Sequence, residues 1–364
     1  MRLAPAVLLA VLYAVLAAEA SIPWSSVSRG ALPNTDVTHG GLLGMFSADG
    51  ATSVLHSIKG DKWEAIPSES NPGKLTVTCA HHKSPIVLAG GSAAAGGHAL
   101  VAMSVNTTRL YPVSKVPSSV TVIAIKPMLN TDDAFGVLAL KGADDGSVFV
   151  VASGGEAVTE VKLPKTLFAN GNVPVQAAFP TPNDWFIVTG VPTARVEALS
   201  AAFPRNAGPG AVAAGAYAGE IFRSSDAGAT WTSVHNVEDG AFTDIDCMST
   251  ELCLASVVID NANGQIARLK EGAWSPAFRQ GAGVVTAVRF AYESGMALAT
   301  GGLTTEDGRK LGMLLSSARN GIRWEPDLRD NAAPVFDRIA TTPDGKTGVA
   351  SGRDSSGKVV VFKF

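Results

Sequence analysis

Thiols, imidazoles and carboxylates are the groups that could do chemistry in this chain, and their spacing decides which chemistry. Cys79, His81 and His82 stand almost together in Leu75-Thr-Val-Thr-Cys-Ala-His-His, donor types that suit a transition metal. In an extended chain adjacent histidines point to opposite faces. No metal site is therefore expected, and Cys79 reads as a buried free thiol. Asp132-Asp133 and Asp144-Asp145-Gly146 carry oxygens of the kind calcium takes, but Asp and Gly in such clusters are also what turns require, and they are read as turns. Cys247 and Cys253 flank a short turn, where paired strands would bring them within disulfide reach. Asn106-Thr-Thr108 is a glycosylation sequon, an exposed loop if used. No phosphate-binding loop, zinc spacing or Gly-x-Ser-x-Gly element occurs. No catalytic residue, cofactor or metal is assigned.

The stretch that organises the chain is Gly219-Glu-Ile-Phe-Arg-Ser-Ser-Asp-Ala-Gly-Ala-Thr-Trp231. It reads as a strand, a tight turn and the start of a second strand. The Asp226 carboxylate can accept from backbone N–H groups of the turn, and Gly228 supplies positive φ. Trp231, just past the turn, can fold back and bury a large apolar area.

Those elements recur. A strand, a turn and a second strand rich in small residues start near residues 75, 120, 175, 242, 285 and 335. Examples are Val120-Thr-Val-Ile-Ala before Phe135-Gly-Val-Leu-Ala-Leu, and Val285-Thr-Ala-Val-Arg-Phe before Met296-Ala-Leu-Ala-Thr-Gly. A third strand often opens with Gly, and the fourth often follows a Gly-x-x-Trp, as at Gly228 to Trp231 and Gly321 to Trp324. Ser317-Ala-Arg-Asn-Gly-Ile-Arg-Trp324 is a degenerate copy, with Arg319 where the Asp belongs. Four-stranded propeller blades run about 40–50 residues each. Six copies plus a unit over about 37–67 predict an all-β propeller of seven four-stranded antiparallel blades, six being the alternative. Small residues in the second strand suit sheets that crowd around an axis. The chain ends after only three strands, so an earlier strand must complete the last blade and remove its open edge. A β-sandwich would also show short strands but not this fixed order of strand types.

Composition agrees. Only 17% of residues are charged, Gly is abundant at 38, and helical periodicity is poor after the first residues. The net charge of −3 argues against nucleic acid or an anionic membrane as partner. Met1-Arg2, an apolar run over 3–17 and the small-x-small Ala18-Glu19-Ala20 predict a signal peptide over 1–20. The run is short for a membrane span, and no transmembrane segment is expected; a buried N-terminal helix is the alternative. Residues 21–36 read as a flexible lead-in. They could also be a second targeting element if a plastid is reached through the secretory route. The propeller is expected over 37–364.

The spacing Ser224, Asp226, Gly228, Thr230, Trp231 resembles the Asp-box, or BNR, motif found between third and fourth strands of propeller blades; Ser317, Gly321 and Trp324 form its degenerate partner. In families that carry it the box is structural. One such group, the sialidases, clamps a carboxylate with three arginines and uses a Tyr activated by Glu. Tyr292-Glu293 is the one tempting pair here, yet strand neighbours diverge and its context suggests a surface bend. The arginine pattern near the start is missing. The stretch is also similar to repeats of the sortilin-type receptors and of the Ycf48/HCF136-like photosystem II assembly factors. The cysteine-rich module of the former and the basic patch of the latter are not found. The resemblance implies an exported, non-catalytic scaffold that binds another protein. A sialidase-type glycosidase or carbohydrate-binding propeller is the alternative, with a glycan as ligand. The secretory lumen or exterior is the expected location, or a plastid lumen in a photosynthetic source. The insertion over 191–218 is the expected contact surface.

Overall fold

The computed structural model describes residues 25–26, 37–41, 44–49, 53–56, 64–66, 75–83, 86–93, 96–104, 111–142, 144–190, 219–238, 240–259, 263–329, 335–341, 345–346, 348–353 and 359–363. The expected signal peptide, Asn106 and the insertion over 191–218 lie outside the described residues, as do the side chains of Cys79, His81 and His82.

After β1 (Ser25–Ser26), strands follow one another in antiparallel runs of four. The first run is β2 (Val37–Gly41), β3 (Gly44–Asp49), β4 (Ser53–His56) and β5 (Glu64–Ile66). Next come β6 (Leu75–Lys83), β7 (Ile86–Ala93), β8 (Leu100–Ser104) and β9 (Tyr111–Pro112). Then β10 (Thr121–Pro127), β11 (Phe135–Leu140), β12 (Gly146–Ala152) and β13 (Ala157–Lys162). The box hairpin lies in β14 (Val173–Ala178), β15 (Trp185–Gly190), β16 (Gly219–Ser224) and β17 (Thr232–Val237). The disulfide run is β18 (Gly240–Ser249), β19 (Leu252–Ile259), β20 (Asn263–Lys270) and β21 (Ala273–Gln280). It is followed by β22 (Gly283–Ala291), β23 (Met296–Thr304), β24 (Lys310–Ser317) and β25 (Glu325–Arg329). The last run holds β26 (Val335–Thr341), β27 (Gly348–Arg353) and β28 (Val359–Lys363), and its fourth member is β1, paired with β28. Part of the expected lead-in is thus a strand, because it alone is left to cover the edge of β28.

Burial explains the sequence of strand types. The first strand of a run is largely buried, end to end in β22, whereas fourth strands such as β13 and β17 are mostly exposed. First strands β2, β6, β10, β14, β18, β22 and β26 touch one another in that order, and β26 returns to β2. The sheets close into a ring around these inner strands. This is an all-β propeller. Its cores lie between neighbouring sheets: Phe179, Trp185, Ile187 and Phe222 pack with Leu138 and Val148 of the run before them.

Each inner strand carries a one-residue bulge at the same place in its pairing with the second strand, between Val122 and Ala124, Phe242 and Asp244, or Val285 and Ala287. A bulge adds local twist and re-aims a side chain. Two of the bulge residues, Thr243 and Thr286, donate their Oγ1 to the next inner strand: Thr243 to Val285 O at 3.1 Å, Thr286 to Phe336 O at 2.6 Å. The second strand must let that neighbour approach. Gly190 forms a parallel bridge to Phe242, and a Cβ on it would lie 2.3 Å from the Phe242 carbonyl oxygen.

Gly190→Ala should therefore destabilise the fold by about 1–3 kcal/mol, because backbone rather than a side-chain tip stands in the way. Thermal unfolding of the variant checks this, and an unchanged midpoint would contradict the close approach.

Candidate functional site: a charge cluster on the inner strands

Lys126 lies next to the end of β10, Asp244 and Asp246 lie in β18, Arg289 lies in β22, and Tyr292 follows that strand. The four charged side chains are all but inaccessible; Lys126 is 2% exposed. Lys126 Nζ donates to Asp246 Oδ1 at 3.0 Å and to Ile245 O at 3.1 Å. Arg289 Nη1 donates to Asp244 Oδ2 at 2.5 Å and to Val288 O at 2.6 Å. The carboxylates also take backbone N–H groups of the neighbouring inner strand: Val288 N to Asp244 Oδ2 at 3.1 Å, Phe290 N to Asp246 Oδ2 at 2.8 Å. Tyr292 completes the set by donating its hydroxyl to Asp246 Oδ1 at 3.0 Å. Two cations and two anions cancel.

The geometry sets the protonation states. Burial raises the Asp246 carboxyl, but the Lys126 and Arg289 charges outweigh it and hold it below its ordinary value. Burial lowers Lys126, with the Arg289 charge in the same direction. Burial also works to lower Arg289, yet Asp244 and Asp246 prevail and raise it. Tyr292 is held well above the usual phenol value, first by burial and then by the Asp246 charge. A phenol–carboxylate pair of this kind invites comparison with a tyrosine nucleophile, which needs a carboxylate able to take its proton. Here the carboxylate is a poor base and the phenol stays protonated. One arginine joins the pair among the described residues, so no carboxylate clamp is assembled.

Sequence reasoning read the context of Tyr292 as a surface bend, and residues 292–295 are indeed the turn between β22 and β23, with Glu293 exposed; what it did not foresee is that the Tyr292 side chain turns inward to Asp246. It also missed Lys126, Asp244, Asp246 and Arg289. Their common register shows only once the strands are paired. Lys126, Asp246 and Arg289 all stand third after the bulge of their inner strands, where β14 and β26 carry Ala178 and Ala340.

The remaining candidates sit elsewhere. In the loop 224–231, Ser224 Oγ donates to Asp226 Oδ1 at 2.8 Å and accepts from Gly228 N at 2.8 Å. Thr230 gives Asp226 its backbone N–H at 2.8 Å and its hydroxyl at 2.6 Å. These bonds, led by the Thr230 hydroxyl, draw the Asp226 carboxyl down to about 2. Ala227 and Gly228 both have positive φ, and Ala227 N donates to Asn183 O in the β14–β15 turn at 2.9 Å. Trp231 Nε1 closes the loop on Gly228 O at 3.0 Å. The loop 317–324 has the same backbone form: Asn320 and Gly321 at positive φ, Asn320 N on Gly295 O at 3.0 Å, Trp324 Nε1 on Gly321 O at 3.1 Å. Cys247 and Cys253 are cross-strand partners joined by a disulfide. Asp133 accepts from Ser153 N at 2.7 Å and Asp144 pairs with Lys165 at 3.1 Å.

Solved structures share this architecture. YCF48 from Cyanidioschyzon merolae superposes with a TM-score of 0.55 at 11% identity, over 94% of this chain and 98% of that one. The WD40 repeats of RRP9 do so with a TM-score of 0.57 at 11% identity, over 93% and 99%. At such identity the likeness is one of fold. No family model matches the sequence, and no curated protein does. Among the described residues, no helix is long and apolar enough to cross a membrane.

Lys126→Met should cost about 3–5 kcal/mol, since it leaves the buried Asp246 carboxylate without its cation. Lys126→Met with Asp246→Asn should recover at least about 1 kcal/mol of the summed single losses, as read by denaturant unfolding. Asp226 and Asp246 titrate lower in the folded chain than the roughly 3.9 of an unfolded aspartate. Their contribution is therefore complete above about pH 4 and is lost as pH falls through the folded values. Unfolding midpoints against pH should decline below about 4, and less steeply in Asp226→Asn.

Proposed function

We propose that this chain is an exported, non-catalytic propeller of seven blades that binds a protein partner through loops held rigidly on its ring. The single observation that carries the reading is the self-neutralised cluster: among the described residues, the buried charged groups Lys126, Asp244, Asp246 and Arg289 are bound to one another, which leaves recognition to the loops. The resemblance of the box stretch to propellers of the assembly-factor and sortilin kinds supports the same role. The runs of four strands support seven blades. A signal peptide over 1–20 would deliver the chain to the secretory lumen, the exterior or, in a photosynthetic source, a plastid lumen. The Cys247–Cys253 disulfide suits any of these oxidising places. Rigid display means that loop sequence sets specificity while the sheets set geometry.

The test is co-purification of the tagged mature chain from its native source, with partners identified by mass spectrometry. A defined protein recovered in near-stoichiometric amount is expected. Recovery of no protein, together with release of sialic acid from a fluorogenic sialoside, would overturn the reading in favour of a glycosidase.

A further inference from the structure

The inner strands share a register that the backbone alone defines. The bulge residue is Thr38 in β2, Thr78 in β6, Thr243 in β18 and Thr286 in β22. Counted from it, Asp244 stands first on β18 and Arg289 third on β22, and these two meet between adjacent strands. Asp244 also accepts the N–H of Val288, second on β22. A short side chain at the first place of one inner strand thus lies against the second place of the next, which the first and third places flank. Strands β2 and β6 are adjacent inner strands in the same way. The first place of β2 is His39, and the first, second and third places of β6 are Cys79, Ala80 and His81. Two imidazole residues and a thiol residue therefore stand at the register positions that a carboxylate and a guanidinium join on β18 and β22. The adjacency of His81 and His82 is not what matters. Cys79 and His81, two apart, share one face of β6, and His82 belongs to the other.

We propose that His39, Cys79 and His81 form a zinc site that ties β2 to β6. Thiolate and neutral imidazole are donors that zinc takes, and three of them leave a fourth position to water or another group. The same places on the flanking inner strands add no donor of this kind: β26 carries Arg338 and Ala340, and β10 carries Ala124 and Lys126. Lys126 is taken up by Asp246. The site also gives Cys79 a role. With Cys247 and Cys253 joined, it is the one cysteine of three outside that disulfide, and an odd cysteine in an exported chain calls for a use. The inner strands β18 and β22 are tied by charge; β2 and β6, with no acid and no permanently charged base at the corresponding places, are tied by the metal.

The probe is cobalt(II), which accepts zinc's ligands and absorbs strongly when bound to a thiolate. It is titrated into the full mature chain, stripped with a chelator and with its disulfide intact. Cys79 is then the one thiol, so a cobalt–thiolate charge-transfer band can arise from it alone. One cobalt per chain with that band, displaced by zinc, is expected. Zinc at about a hundredfold over its dissociation constant should raise the melting temperature by about 4 °C. Cys79→Ser should abolish the band, and His39→Ala and His81→Ala should each weaken zinc binding at least about tenfold. His82→Ala should leave band and affinity unchanged. Absence of the band in the native chain would overturn the site, and cobalt bound without it would be an adventitious ion only. Unchanged zinc affinity in His39→Ala or His81→Ala, or an equal loss in His82→Ala, would overturn it too. If a histidine variant fails to fold, the native band and the His82→Ala comparison still decide. Failure here leaves the protein-binding reading standing, which depends on the partner recovered by the native chain.

Discussion

No blade of this molecule can satisfy its inner strand alone. That strand is buried on both sides, so its outward N–H and C=O groups and its apolar faces need a neighbouring sheet, and the neighbour has the same need. Closure of the ring is the one arrangement in which every inner strand has two neighbours. The shared bulge follows from this. It turns Thr243 and Thr286 toward carbonyls of the next strand, where a regular strand would point those hydroxyls elsewhere. The small second-strand residues follow as well, because Gly190 sits where the Phe242 backbone passes. Even Ser25–Ser26 has its pairing fixed by closure, since β28 would otherwise present an open edge.

The loop between third and fourth strands shows how one backbone form can be held by two different sets of contacts. In loop 224–231 a polar network around Asp226 fixes the turn, and the Trp231 ring seals it against Trp185, 6.4 Å away between centroids. In loop 317–324 that network is gone. Trp324 still bonds to Gly321 O and packs with Leu254 and Ile266 of the preceding blade, and the turn keeps its shape. The tryptophan and the positive-φ glycine therefore carry the conformation, and the Asp adds to it.

Much of the fold was legible in the sequence because it depends on periodic features. Strand order, Gly before the third strand and Gly-x-x-Trp before the fourth all recur, and repetition makes weak signals readable. Cys247 and Cys253 were legible because a hairpin pairs residues close in sequence. The charge cluster was not. Lys126 and Asp246 come from sheets that are not consecutive in the ring, and contact across the blade between them depends on how the inner strands lean together. The contact of Tyr292 was missed for the same reason: Ala-Tyr-Glu-Ser-Gly is the turn its composition implies, and only the position of β18 beside β22 supplies the buried carboxylate that draws the ring inward. Alignment of the bulges would have shown the charges in register, but the bulges themselves are invisible until the strands pair.

The cluster's value to the molecule is better sought in register than in strength. A buried ion pair is weak support for stability, since desolvation offsets most of the attraction, and well-packed apolar groups can do as well. What apolar groups cannot do is reject a slipped arrangement. Asp244 and Asp246 stand two residues apart on one face of β18, and the N–H groups they accept, from Val288 and Phe290, stand two apart on β22. A slip of one residue would turn those carboxylates from donors to backbone oxygens, since side chains alternate with a period of two. It would also carry Arg289 away from Asp244. An unpaired buried carboxylate costs several kcal/mol, so the wrong register is penalised at two points at once. Lys126 extends the same check across β14 to the sheet before it. A ring of similar sheets offers many near-equivalent ways to close, and side chains that tolerate only one pairing are what single out the native one.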